Sequence, residues 1–114
     1  MKENLIADKT YDFAIKIVLL SKKLCAQNEY VLSRQILKSG TSIGANVEEA
    51  IGGISKKDFR AKMSISYKEA KETNYWLRIL KDTNYIEIEE FNYLNDEITS
   101  ILKILYEIIE SSKE

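Results

Sequence analysis

At 114 residues the chain is long enough to bury a core as one domain, residues 1–114, and too short for two. It has no histidine, the commonest general base and metal ligand, no proline to break a helix, and one cysteine, Cys25, which excludes an intrachain disulfide and points to the cytoplasm. The net charge of −1 excludes a global attraction to phosphate, yet it is uneven: residues 1–62 hold 11 Lys or Arg against 7 Asp or Glu, net +4, and residues 63–114 hold 6 against 11, net −5.

The first residues lack the unbroken apolar core of a signal peptide, and charges interrupt every later apolar run short of a membrane span, so neither export nor insertion is expected. Between residues 4 and 26, Ile6, Thr10, Phe13, Ile17, Leu20 and Leu24 recur at spacings of four and three, which predicts a first helix with one buried stripe. Gln27, Asn28 and Glu29 break it. Ile36, Gly40, Ile43, Val47, Ala50 and Ile54 then repeat the spacing and predict a second helix from about Val31 to Ile51, closed by Gly52 and Gly53 in the left-handed conformation. Ser55 to Asp58 has the form of a capping box, with the serine accepting a backbone N–H and Asp58 reaching back to the cap. Phe59, Met63, Ser66, Ala70, Thr73, Leu77 and Leu80 form the inward stripe of helix three, and Asp82 to Ile86 a turn. Helix four begins among Glu87, Glu89 and Glu90, acids suited to the positive end of a helix dipole, buries Phe91, Leu94, Ile98, Ile101, Leu105 and Ile108, and frays after Glu110. Short connections make such neighbours antiparallel, so the expected fold is all-α, an up-down-up-down four-helix bundle.

Apolar residues exceed one stripe per helix. Helix one adds Ile15, Val18 and Leu19, and helix four adds Leu102, Ile104, Tyr106 and Ile109. These residues either widen the core-facing surface or serve contact between subunits, and the second reading makes the protein a homo-oligomer.

Helix two carries the least ordinary segment. Gly40 and Gly44 lie inside it, each costing about 1 kcal/mol relative to alanine, which points to close approach by a neighbouring helix. One residue behind the apolar stripe runs a polar one, Gln35, Ser39, Ser42, Asn46 and Glu49. It is either a hydrogen-bonding surface for a partner or a polar seam between helices.

The segments SRQILKSGTSIGANVEEA and SKKDFRAKMSISYKEAKETNYWLRIL resemble the four-helix-bundle proteins encoded within intervening sequences of bacterial 23S ribosomal RNA genes, closely from Tyr30 to Ile86 and by pattern elsewhere. The resemblance implies an up-down-up-down bundle assembled as a ring, with a homopentamer as the expected state, and no known enzymatic activity. That family is also similar to the accessory variability protein of diversity-generating retroelements, a basic pentameric bundle that associates with nucleic acid and a reverse transcriptase. This chain departs from that protein in its charge, so binding to RNA or DNA would need a local patch. Lys56, Lys57, Arg60 and Lys62 at the start of helix three, with Arg34 and Lys38, are the candidates; the alternative is a solvated surface.

Chemistry is not expected. Glu48, Glu49, Glu69 and Glu72 lack the histidine partners of bundle di-iron sites, and Cys25 has no histidine to activate it and reads as a small core residue. Trp76, with Tyr67 and Tyr75 nearby, reads as packing at a core edge or a subunit interface, with base stacking as the alternative. The sequence therefore predicts no catalytic residue, cofactor or metal, and leaves two functions open: an oligomeric scaffold that binds itself or a protein partner, and a nucleic-acid accessory factor.

Overall fold

The computed structural model describes residues 2–113. It contains α1 (Lys2–Ala26), α2 (Val31–Ile51), α3 (Lys56–Asp82) and α4 (Ile88–Ser111), with no strand among the described residues. They form a four-helix bundle measuring 46 × 21 × 19 Å, in which α1 packs on α2 and α4, and α3 packs on α2 and α4. Every described residue of the stripes predicted for α1 and α4 is buried. In α2 the stripe is buried as far as Ala50. Ile54, assigned to it by spacing, is 97% exposed, because the helix has ended and the spacing no longer has a face to define. Phe59 at the start of the α3 stripe is half-buried, and the rest of that stripe is buried.

The helix ends differ from expectation in an instructive way. No glycine has a positive φ; Asn28 (φ 64°) and Asn84 (φ 66°) do. After α1 the Glu29 N–H donates to the Leu24 carbonyl at 2.9 Å and the Asn28 N–H to that of Cys25 at 3.0 Å. After α3 the Tyr85 and Asn84 N–H groups repeat the pattern on Leu80 and Lys81. Asparagine tolerates this conformation better than most residues, and the two hydrogen bonds satisfy carbonyls that the helix leaves open. Gly52 instead ends α2 at φ −82°, while a Cβ on Gly53 would lie 2.5 Å from Asp58 Oδ2. Small size, rather than handedness, is what Gly53 supplies, whereas a Cβ on Gly52 would meet nothing closer than the Glu48 carbonyl oxygen at 3.6 Å.

Only half of the capping box forms. Ser55 Oγ accepts the Asp58 N–H at 3.0 Å, and Asp58 makes no return bond to the cap. The start of α2 is capped from the preceding turn, where Glu29 Oε1 accepts the Leu32 N–H at 2.6 Å.

Hydroxyl groups join the helices where aliphatic bulk is missing. Ser66 donates to the Ile43 carbonyl at 2.8 Å, Thr73 Oγ1 lies 2.9 Å from Ser39 Oγ, and the Ser21 and Ser33 hydroxyls hydrogen-bond at 2.7 Å. Among the described residues no buried side-chain nitrogen or oxygen lacks a partner. That matters because an unpaired buried polar group costs about 1–3 kcal/mol. A Cβ on Gly40 would lie 2.7 Å from Ile17 Cγ2, and one on Gly44 would lie 3.2 Å from the Thr10 carbonyl oxygen, so both glycines admit α1 at close range.

Candidate functional site

The surplus apolar residues divide between two roles. On α4, Leu102, Ile104 and Ile109 are partly buried and pack against the core, and only Tyr106 is exposed, at 55%, its ring 6.5 Å from that of Tyr67. For α4 the expected subunit face is thus largely core-facing surface, because the grooves towards α1 and α3 take up the extra width. On α1 the expectation of exposure holds. Ile15 (45% exposed), Val18 (36%) and Leu19 (59%) stand on the side away from the buried stripe, and Tyr11 (69%) joins them there.

Two grooves flank that face. Between α1 and α2 a cavity of about 400 Å3 is floored by small residues, including Ala7, Ala14, Gly44 and Ala45, with Tyr11 at its rim. Between α1 and α4 one of about 180 Å3 is lined by Leu19, Leu20, Tyr93 and Leu94. The second groove is held by charge: Lys16 Nζ lies 2.8 Å from Asp12 Oδ2, 3.0 Å from Glu97 Oε1 and 4.7 Å from the Tyr93 ring centre, and Lys23 pairs with Glu90 at 2.6 Å. The hydrogen bonds to Asp12 and then Tyr93 hold the Lys16 ammonium well above the ordinary lysine range. Its spacing with Asp12 is readable in sequence; its pairing with Glu97, from the other end of the chain, is not.

The predicted basic cluster is only partly assembled. Lys56, Lys57 and Arg60 line one cavity of about 410 Å3 where α3 begins, and Ser112 and Lys113 beyond α4 complete its wall. None of those three cations has a carboxylate within 4 Å among the described residues. Lys113, which pairs with Glu110 at 2.7 Å, carried no signal in the sequence because folding alone brings it beside Lys56. Lys62 is committed to Glu49 at 2.7 Å, a contact that raises its pKa. Lys38 and Arg34 do not belong to the cluster. With Glu49 level with Lys62, they lie ~16 Å and ~22 Å further along α2 at 1.5 Å per residue.

The polar stripe of α2 is mostly spent within the chain. Ser39 is buried against Thr73 and so forms no part of a surface. Ser42 donates to the Lys38 carbonyl, Asn46 to that of Ser42, and Glu49 accepts from Lys62; Gln35 is exposed. Cys25, expected in the core, is exposed, with its Sγ 3.2 Å from Ser33 Oγ. Glu72 accepts the Trp76 indole N–H at 3.0 Å, and Tyr75 meets the Trp76 ring edge-on at 5.2 Å. Burial, then the neighbouring Glu72, raises the pKa of Glu69, against the opposing pull of Lys38. Among the described residues no three Asp, Glu, Cys or His side chains converge as a metal site, and no helix is long and apolar enough to cross a membrane.

A family model described as 23S rRNA-intervening sequence protein matches residues 2–107. No curated protein matches the chain. Among solved structures, the chain is similar to a protein of unknown function from the S23 ribosomal protein family of Bacteroides thetaiotaomicron, with 49% identity over 96% of this chain and 99% of that one and a TM-score of 0.95.

Proposed function

We propose that this chain, which belongs to the 23S rRNA-intervening sequence protein family, is a non-enzymatic, homo-oligomeric scaffold of the cytoplasm that presents a helical surface to itself or to a protein partner. One observation carries the reading: the middle of α1 turns Tyr11, Ile15, Val18 and Leu19 outward as a contiguous apolar strip. Soluble chains rarely leave such a strip uncovered unless it serves as a contact.

The up-down-up-down topology is part of the same proposal. It is supported by contacts that run in opposite senses along neighbouring helices: Gly40 with Ile17 and Gly44 with Thr10, Ser39 with Thr73 and Glu49 with Lys62, Lys16 with Glu97 and Lys23 with Glu90. A ring of five subunits is the state that the family resemblance implies. The test is the mass in solution, by light scattering across micromolar concentrations. The wild type is expected as an assembly that Leu19→Lys breaks down to single folded chains; a wild-type monomer throughout would refute the reading.

A second reading, an RNA- or DNA-associated accessory factor, is favoured by the convergence of Lys56, Lys57 and Arg60 with Lys113 around one cavity. So few cations imply weak, sequence-nonspecific binding that is lost with modest salt. Fluorescence titration of RNA and DNA over a salt series, beside a variant with Lys56, Lys57 and Arg60 all changed to alanine, separates the two. Binding that disappears in the triple variant supports this second reading. Absence of binding at low salt leaves the scaffold reading alone.

A further inference from the structure

The cations at the start of α3 stand where folding gains nothing from them. Lys56 and Lys57 occupy the first turn, at the positive end of the helix dipole, and Lys56 and Arg60 are neighbours four residues apart, where like charges repel. None of the three has a carboxylate within 4 Å among the described residues, although Lys16, Lys23, Lys62, Lys81 and Lys113 all find one. A cluster that opposes stability and is left unpaired is suited to an anion from outside the chain.

Two cavities meet at this end of the bundle. The one of about 410 Å3 lined by Lys57 and Arg60 adjoins a second of about 270 Å3 lined by Phe59 and Ile108, and Lys56, Ser112 and Lys113 belong to both. At roughly 100° per residue the α3 side chains follow the order Phe59, Lys56, Arg60, Lys57 around the helix, so an aromatic face passes directly into a cationic one. Phe59 is half-buried and Ile108 buried, which makes a fixed apolar wall. Glu3 is the one acid among the residues that line either cavity.

We infer that the two cavities form one site for a single 5′-phosphorylated nucleotide unit, with its phosphate among Lys56, Lys57 and Arg60 and its base against Phe59. Every base has a face that can stack on an aromatic ring, so the site tolerates any of them. It suits a terminal phosphate better than an internal run of backbone. A terminal phosphate carries about −1.5 to −2 charge at neutral pH, more than a diester. The cations that would continue a track along a strand are also missing, since Lys62 is held by Glu49 and Lys38 and Arg34 lie far along α2. A free nucleotide and the 5′ end of a strand present this same chemistry. The inference rests on the second reading's assignment of phosphate to this cavity, and narrows it from any stretch of strand to one terminal unit.

The test titrates the full chain by calorimetry at low salt. The probes are adenosine 5′-diphosphate, inorganic pyrophosphate, adenosine, and one short RNA bearing either a 5′-phosphate or a 5′-hydroxyl. Adenosine 5′-diphosphate should bind roughly tenfold more tightly than pyrophosphate, the worth of one base stacked on an aromatic ring, and adenosine should give no measurable binding. Lys57→Ala combined with Arg60→Ala should abolish binding of both phosphates, while Lys71→Ala should change nothing; all three positions are exposed, so circular dichroism should register no loss of fold. Phe59→Leu should bring adenosine 5′-diphosphate down to the affinity of pyrophosphate and leave pyrophosphate itself unchanged, a split that misfolding would not produce. The 5′-phosphorylated RNA should bind roughly tenfold more tightly than its 5′-hydroxyl counterpart. Binding of adenosine 5′-diphosphate with no binding of either RNA supports the site with a free nucleotide as its ligand, and removes the strand from the second reading. Equal binding of the two RNAs, lost in the Lys57 and Arg60 variant, overturns the terminal site and leaves the second reading standing. Pyrophosphate bound as tightly as adenosine 5′-diphosphate also overturns it, and failure of every probe overturns both.

Discussion

Gly40→Ala should destabilise the bundle in the native sequence and stabilise it once Ile17 is shortened. Alanine inside a helix gains about 1 kcal/mol over glycine from backbone entropy. Against that gain, the new Cβ would lie 2.7 Å from Ile17 Cγ2 and 2.9 Å from Ile17 Cγ1, closer than carbon atoms pack, and Ile17 is fully buried and has little room to rotate away. Overpacking of this kind costs about 1–3 kcal/mol, so the net change is a loss of about 0–2 kcal/mol. Ile17→Ala removes both offending atoms at its own cost of about 2–5 kcal/mol. On that background only the helix-propensity gain remains, and Gly40→Ala should raise stability by about 1 kcal/mol. The assay is urea unfolding of the four proteins as a double-mutant cycle, at one protein concentration so that any subunit linkage cancels. If Gly40→Ala stabilises equally in both backgrounds, the glycine is not there to admit Ile17.

Two further changes test neighbouring features. Gly44→Leu presses on the Thr10 carbonyl, which α1 cannot yield without moving as a body, and should cost about 1–3 kcal/mol, whereas exposed Lys71→Ala should stay within about 0.5 kcal/mol in the same thermal and urea unfolding. Glu69→Gln should stabilise the protein at neutral pH, because a folded-state pKa raised by burial and by Glu72 makes the ionised carboxylate a cost. That gain should shrink as pH falls through the raised pKa and vanish below the ordinary carboxylate range, where Glu69 is protonated in both states. A gain that persists in acid would point to a cause other than ionisation.

The helices and their buried faces were legible because both are local. A four-and-three spacing defines a stripe whatever lies beyond it, and so Ile6 to Leu24 and Phe91 to Ile108 are buried as the spacing predicts. Where the spacing ran past the end of its helix, at Ile54, the inference failed. The helix ends were less legible, since glycine and asparagine both suit a left-handed residue and only the hydrogen bonds after Leu24 and Leu80 reveal which was used.

What a surplus apolar residue does is not local. Ile104 and Leu19 look alike in sequence, yet one packs against the core while the other, at the edge of the α1–α4 groove, stays exposed; only the arrangement of neighbouring helices separates them. The same holds for charge. Lys62 and Lys56 lie six residues apart on one helix, but Lys62 is committed to Glu49 while Lys56 shares a cavity with Lys113, from the far end of the chain. Periodicity is a property of one helix and survives in the sequence. Grooves, ion pairs and free surfaces belong to pairs of helices, and they exist only once the four have packed.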